Sequence, residues 1–339
     1  MSLLFSLPSM ILTISAVSKI SPSKLINRFA HEGLRELLRA FTYENSGIMP
    51  LVFTMGALSR GDGGFPAGGS LPFAERIVKT FTGLGGEILY RTRADRVIVE
   101  NGRATAVMAD DKKLPADAVI ITADTMAIDY LFDTPPTAKW FDEMRAVTEP
   151  TMAVFVSLGI KADLRKYHYY YAFRLKTPIK LDTETYEFIN VSNYASDPDY
   201  SPDGKTAMTI QLPGDTYDFW KKVKEENRYA EEKQKIADKV IEILSEKVPQ
   251  IRGKVAVVDV ATPLTYERYC GSYHGGWMTK VGKSEKMQMF PTKSESVQGL
   301  YFAGHRIQPP GGLPVAAETG RIAAQHLCKD NDMVFQGKV

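Results

Sequence analysis

One stretch near the end constrains the fold more than any other: Gly299-Leu-Tyr-Phe-Ala-Gly-His-Arg-Ile-Gln-Pro-Pro-Gly-Gly-Leu-Pro-Val-Ala-Ala-Glu-Thr-Gly-Arg321. It reads as a short buried strand from Leu300 to Ala303, a glycine-broken loop, and a helix opening at Leu313-Pro314. Proline suits the first helical turn, where no backbone donor is needed. Leu313, Ala316, Ala317, Gly320, Ala323, Ala324 and Leu327 recur at helical spacing on one face. That face is almost wholly small, so the pattern predicts a large body lying close against the helix backbone. Gly311 and Gly312 leave amides free at the positive end of the helix, where an anionic or electron-rich ring is held.

Composition narrows the class. A chain of 339 residues can bury two domain cores. Hydrophobic content of 44% and charged content of 24% are those of an ordinary globular protein. A net charge of +2 gives no reason to expect a nucleic-acid partner. Cys270 and Cys328 have neither metal nor redox spacing, and they suit a reducing, cytoplasmic setting. The five histidines are scattered without paired spacing, so no metal site is expected. Residues 1–20 are apolar but lack a basic start and are interrupted by Pro8. They read as a buried or lipid-facing helical segment rather than a signal sequence or a span.

Helical spacing runs through Leu25, Phe29, Leu34, Leu37, Leu38 and Phe41, is broken at Asn45 to Pro50, and resumes. A glycine-rich loop, Gly61 to Gly69, leads to a helix expected to bury Phe73, Ile77, Val78, Phe81 and Leu84, capped by Gly85-Gly86. Strands are expected at Ile88 to Thr92, at Arg96 to Glu100 and at Ala104 to Ala109, the last two joined by a tight Asn101-Gly102 hairpin. Ala118 to Thr122 is apolar throughout, as in a strand buried on both faces. Further strands are expected at Thr151 to Ile160, Tyr186 to Asn193, Ala207 to Leu212 and Val255 to Val260, with one long helix from about Asp218 to Val248. Its Glu and Lys run is read as a solvated helix face.

The Gly299 to Arg321 stretch resembles the C-terminal flavin-binding signature of phytoene desaturase-like, amine-oxidase-related FAD-dependent oxidoreductases, which include retinol saturase-like proteins. The block from the Gly61–Gly69 loop to the Ala116-Asp-Ala-Val-Ile-Ile-Thr-Ala-Asp124 strand and turn is similar to the same family, element by element. The Thr262-Pro263 step before a glycine-rich loop also occurs there. The resemblance implies an α/β fold: a partial FAD/NAD(P)-binding, Rossmann-like domain interleaved with a sheet-plus-helices (α+β) substrate domain. It divides the chain into 1–60 (helical part of the substrate domain), 61–125 (FAD domain), 126–284 (substrate domain), 285–330 (FAD domain) and a tail, 331–339.

By that resemblance the cofactor is FAD, with Ala94 beside the adenine and Ala123, Gly304, His305, Arg306, Gly311, Gly312, Leu313, Pro314 and Ala317 around the remainder. Family members open with a strand, a Gly-x-Gly-x-x-Gly turn and a helix that hold the pyrophosphate. This chain has no such turn near its start, and Gly61–Gly69 follows a helix rather than a strand. Relatives extend further at the N-terminus by roughly one domain, about 150 residues. The expectation is therefore a truncated oxidoreductase, with sheet edges that favour a homodimer.

The implied reaction is hydride transfer between flavin and a long apolar substrate, carotenoid- or polyprenoid-like, reached from a membrane surface. The alternatives are a flavin amine oxidase, with Tyr301 as a possible aromatic wall, and a non-catalytic binding or scaffold remnant that no longer holds FAD. Several roles stay open. His305 either tunes the ring or bonds to backbone; Arg306 either neutralises a phosphate or makes a surface ion pair. His274 and the Tyr167–Tyr171 cluster either line a substrate channel or pack the structure. Glu318 and Arg321 are read as structural, and Pro135-Pro136 and Pro309-Pro310 as turns.

Overall fold

The fold was obtained as a computed structural model, which describes residues 20–42, 48–64, 66–134, 146, 149–280, 290–308 and 311–337. The apolar start at 1–19, Pro135-Pro136 and Pro309-Pro310 lie outside the described residues. Among the described residues three helices come first: α1 (Pro22–Ile26), α2 (Glu32–Phe41) and α3 (Met49–Arg60). Gly61, at φ 74°, ends α3 in the left-handed conformation that glycine reaches without a Cβ clash. Helix α4 (Ser70–Gly83) follows the glycine-rich loop.

Its helical spacing is as expected, but its burial is not. No residue of α4 is buried, and Ile77 and Phe81 are 56% and 47% exposed. Ile88 to Thr92 forms no strand. A strand is defined by a partner, and none of the described strands pairs with these residues.

Next comes a three-stranded antiparallel meander, β1 (Ala94–Glu100), β2 (Arg103–Ala109) and β3 (Lys112–Pro115). Asn101 and Gly102 both have positive φ, 51° and 74°, the two-residue turn the sequence calls for. Strand β4 (Val119–Ile121) pairs in parallel with β12 (Leu300–Phe302), residue for residue. The last helix, α8 (Leu313–Asp330), covers the Tyr301 face of that pair through Ala323 and Leu327. It leaves Ile120, on the same face, 39% exposed, so β4 is not buried on both sides as expected. On the other face Val119, Ile121, Leu300 and Phe302 join Val97, Ala104 and Phe290 in one core.

The middle of the chain builds a five-stranded antiparallel sheet in the order β10-β6-β9-β8-β7. Its members are β6 (Ala153–Ile160), β7 (Tyr170–Leu181), β8 (Glu184–Asn193), β9 (Thr206–Pro213) and β10 (Val255–Ala261). Strict alternation in β6 and β9 places Val154, Val156, Leu158, Ile210 and Leu212 in a single core with Trp220, Val240 and Leu244. Trp220 comes from α5 (Tyr217–Glu225), and Val240 and Leu244 from α6 (Tyr229–Lys247). The single long helix expected from Asp218 to Val248 is thus two helices. Asn227 at φ 57° breaks it, a conformation that a short polar side chain tolerates.

The sheet continues through α7 (Pro263–Cys270) to a small antiparallel pair, β5 (Glu149–Thr151) with β11 (Met278–Lys280). Helix α7 starts with a reciprocal cap: the Thr265 hydroxyl accepts from the Thr262 backbone N–H at 3.1 Å while the Thr262 side chain accepts from the backbone of Thr265. Among the described residues, no helix is long and apolar enough to cross a membrane.

Candidate functional site

A cavity of about 270 Å³ opens at the carboxyl ends of the parallel strands β4 and β12. This is the end of a parallel sheet at which α/β proteins bind ligands. Three segments form its walls: the turn Thr122-Ala123-Asp124 after β4, Ala303-Gly304-His305-Arg306 after β12, and the stretch from Tyr266 and Cys270 through Ser272 and Gly276 to Trp277.

Glycine shapes the second wall. Gly304 has φ 121°, and a Cβ there would sit 3.3 Å from the Thr122 carbonyl oxygen. Gly311 has φ 99°, and a Cβ there would come within 2.8 Å of the His305 carbonyl oxygen. Gly312, at φ 94°, caps α8, and its carbonyl accepts from Ala316 at 3.0 Å. The loop is pinned to the helix by Thr319. This fully buried hydroxyl accepts from the Gly304 N–H at 3.0 Å and lies 2.8 Å from the Val315 carbonyl, to which it donates. Thr319 was not singled out in the sequence, where a threonine inside an alanine-rich helix gives no signal.

The expected site residues therefore divide. Ala123, Gly304, His305 and Arg306 meet at the cavity. Gly311 and Gly312 are half-buried just ahead of α8, while Leu313, Pro314 and Ala317 are exposed on its first two turns. The buried side of α8 is centred on Thr319 and Ala323, so the small-residue face is only partly covered. Ala94 begins β1, exposed and paired with Ala109, and does not line the cavity.

Arg306 makes the ion pair that one reading from sequence offered, but in a buried place. It is not at the surface, and its guanidinium is occupied inside the protein. With the side chains of Arg306 and Asp124 only 2% and 5% exposed, Nε donates to Asp124 Oδ2 at 3.1 Å. His305 is half-buried beside this pair. Burial first, then the Arg306 charge, lowers its pKa from 6.5, with Asp124 pulling the other way. A folded-state pKa below the unfolded value means that the unfolded chain binds the extra proton as pH falls. His305 therefore favours folding fully above the ordinary histidine range, and that contribution is lost as pH falls through its lowered value. An imidazole titration followed by NMR is expected to give His305 a midpoint below 6.5; one at or above that value would contradict the burial.

His274 is structural. It stacks between Tyr217 and Tyr273, with ring centroids at 4.3 and 3.9 Å. The Tyr167–Tyr171 cluster is packing as well, with only Tyr170 and Tyr171 inside β7: Tyr167 donates to Gln250 Oε1 at 2.6 Å, and Tyr167 and Tyr171 lie against the main core. Tyr301 is buried under α8 and donates to Asp330 Oδ2 at 2.7 Å, so it is no wall of the cavity. The aromatic walls are Tyr266 and Trp277, which sequence reading did not select. Burial raises the Tyr266 phenol and keeps it neutral. Among the described residues no group of three or more His, Cys, Asp or Glu could hold a metal ion.

The family described as flavin containing amine oxidoreductase matches residues 14–328. Prolycopene isomerase of Daucus carota is 23% identical over 288 residues, covering 78% of this chain and 44% of that protein. The neurosporene-forming phytoene desaturase of Rhodobacter capsulatus is 25% identical over 282 residues, covering 78% and 53%. The chain thus spans about half the length of the curated relatives it matches. Among solved structures, cyclohexylamine oxidase from Brevibacterium oxydans superposes with a TM-score of 0.54 at 12% identity, covering 94% of this chain and 69% of that one. At that identity the likeness is one of fold.

Proposed function

We infer the function from one premise: the chain belongs to the flavin containing amine oxidoreductase family, for which FAD is the expected cofactor. The proposed activity is flavin-dependent oxidation or reduction of a carbon–carbon bond in a long apolar substrate. One observation carries it: the cavity at the ends of β4 and β12, walled by glycine-broken backbone on one side and by Tyr266 and Trp277 on the other. These residues fit a flat, electron-accepting ring. The positive φ at Gly304, Gly311 and Gly312 excludes side chains where a ring would approach the backbone. The N-terminus of α8 offers amides to the ring's electronegative edge.

When bound, the flavin supplies the hydride chemistry. The remaining work falls to the chain's own groups. His305, kept neutral by its surroundings, accepts or donates one hydrogen bond at the ring without adding charge. Tyr266 and Trp277 give the cavity an aromatic side for an apolar substrate. Ala123 and Gly304 give backbone contact, Leu313, Pro314 and Ala317 present a small surface for the ring to lie on, and Ala94 is proposed to meet the adenine. Residues 61–125 and 285–330 would form the cofactor domain around the five-stranded substrate domain. The relatives named as a carotenoid desaturase and a carotenoid isomerase favour an apolar polyene as substrate. A membrane-surface approach and a homodimer belong to the same reading.

The test is direct. The purified chain, titrated with FAD, is expected to develop a bound-flavin absorption spectrum with saturating fluorescence change. Anaerobic addition of a polyene should then bleach the oxidised flavin if the substrate is desaturated, or restore the colour of flavin first reduced with dithionite if it is saturated. Bleaching by primary amines alone would move the assignment to an amine oxidase. A colourless protein that takes up no FAD would leave a binding or scaffold role for the chain.

A further inference from the structure

We propose that Arg306 and Asp124 form a clamp that holds the Tyr273–Lys280 segment in place as the third wall of the cavity, making both of them positioning residues. The proposal rests on the flavin reading only for the identity of what the cavity holds.

The geometry is specific. Arg306 Nε donates to Asp124 Oδ2, Nη1 to the Met278 carbonyl at 2.8 Å, and Nη2 to the Gly276 carbonyl at 2.6 Å; Nη1 also lies 3.4 Å from Thr279 Oγ1. Asp124 Oδ2 accepts in addition from the Tyr273 N–H at 2.9 Å, and Oδ1 from the Met126 N–H at 3.1 Å. One ion pair therefore joins three strands of chain remote in sequence: the turn after β4, the loop after β12, and the loop between α7 and β11. Elsewhere this last loop is held by backbone, through Trp277 N–H to the Thr151 carbonyl at 2.9 Å and the β5–β11 ladder, by the stack of His274 on Tyr217, and by the close approach of Gly275 to Pro263.

Two further features suit a clamp rather than incidental packing. A Cβ on Gly276 would lie 2.9 Å from Arg306 Nη2 and 2.5 Å from Pro150 Cβ, so glycine is what lets the guanidinium reach the backbone. The acceptors lie around a planar fork, a pattern that lysine's single ammonium cannot match. A buried ion pair of this kind contributes little net stability compared with an apolar pair of equal volume, but it fixes geometry because Nε, Nη1 and Nη2 each have an acceptor. The segment it fixes carries Gly276 and Trp277 into the cavity wall.

The test compares the parent chain of 339 residues with R306K, R306M and the double variant R306M/D124N. The double variant leaves no unpaired buried charge, and because its single amide oxygen can serve only one of the Tyr273 and Met126 N–H groups, Gly276 and Trp277 are the deciding amides. It is expected to unfold cooperatively, like the parent. Hydrogen exchange at the amides of Tyr273, Gly276 and Trp277 should quicken by about tenfold or more, and the FAD dissociation constant should rise by a similar factor, the loss of one well-placed charged hydrogen bond. R306K should not restore either value. Unchanged exchange in R306M/D124N would overturn the clamp. Faster exchange with unchanged FAD affinity would overturn its positioning role. If the parent itself takes up no FAD, the flavin assignment fails alone, and the exchange rates still decide the clamp.

Discussion

Replacing Trp220 with alanine is expected to lower the unfolding free energy by about 3–5 kcal/mol, the loss associated with emptying a large aromatic site in a core. The side chain is fully buried on α5, edge-on to Phe219 and Tyr229, with centroids at 5.3 and 5.6 Å. It fills the space between the five-stranded sheet and α6, where the surrounding Val156, Ile210 and Val240 are equally buried. Trp220→Phe is a sharper comparison. The Trp220 Nε1–H is buried with no hydrogen-bond partner among the described residues, and phenylalanine removes that donor while keeping a ring. Relief of the unsatisfied donor offsets part of the smaller ring's lost packing, so the net loss should be only about 1 kcal/mol. Urea unfolding of the two variants at unchanged slope measures both values. Equal losses for alanine and phenylalanine would show that packing at this site is not what holds α5 and α6 on the sheet.

Local signals in the sequence carried over well. Asn101-Gly102 makes its turn because both positions must reach positive φ, a requirement written in two adjacent residues. The Leu300 strand and the start of α8 at Leu313-Pro314 were legible for the same reason. What failed depended on distant partners. The spacing of Phe73, Ile77 and Phe81 gives a helix but says nothing of what covers it, and here that face stays open. Strand β7 escaped notice because Lys176, Pro178 and Lys180 interrupt its apolar pattern. Its place at the sheet edge, with a register shift between Arg174 and Ile179, is what accommodates the proline. At the site, the glycines and His305 were readable as a motif. The partnership of Arg306 with Asp124, separated by 182 positions, was not, because no local pattern ties an arginine to a carboxylate so far away.

Gly275→Ala is expected to displace the third wall of the cavity while the main core stays folded. Gly275 has φ 66°, and the residue before it, His274, is also left-handed at 49°. An added Cβ would fall 1.9 Å from the Pro263 carbonyl oxygen and 2.6 Å from its Cα, atoms that cannot rotate away. One side must move, and the start of α7 is the better anchored. It is capped reciprocally by Thr262 and Thr265, and the Tyr229 hydroxyl on α6 bonds to Thr262 Oγ1 at 2.7 Å. The loop therefore yields, taking with it the His274 stack and the Gly276 carbonyl that receives Arg306. Overpacking together with left-handed strain should cost about 2–4 kcal/mol. Gly271→Ala is the control: φ is 62° there too, but no atom lies within 4 Å of the added carbon, so only the backbone term of about 1 kcal/mol applies. Thermal melts rank the two variants, and FAD titration separates a displaced wall from general weakening. Gly275→Ala should lose flavin affinity at temperatures where its sheet is still fully folded, whereas Gly271→Ala should bind as the parent does. Equal behaviour of the two alanines would mean that the loop, not the helix, is the fixed partner, and that the wall is set by something other than its packing against Pro263.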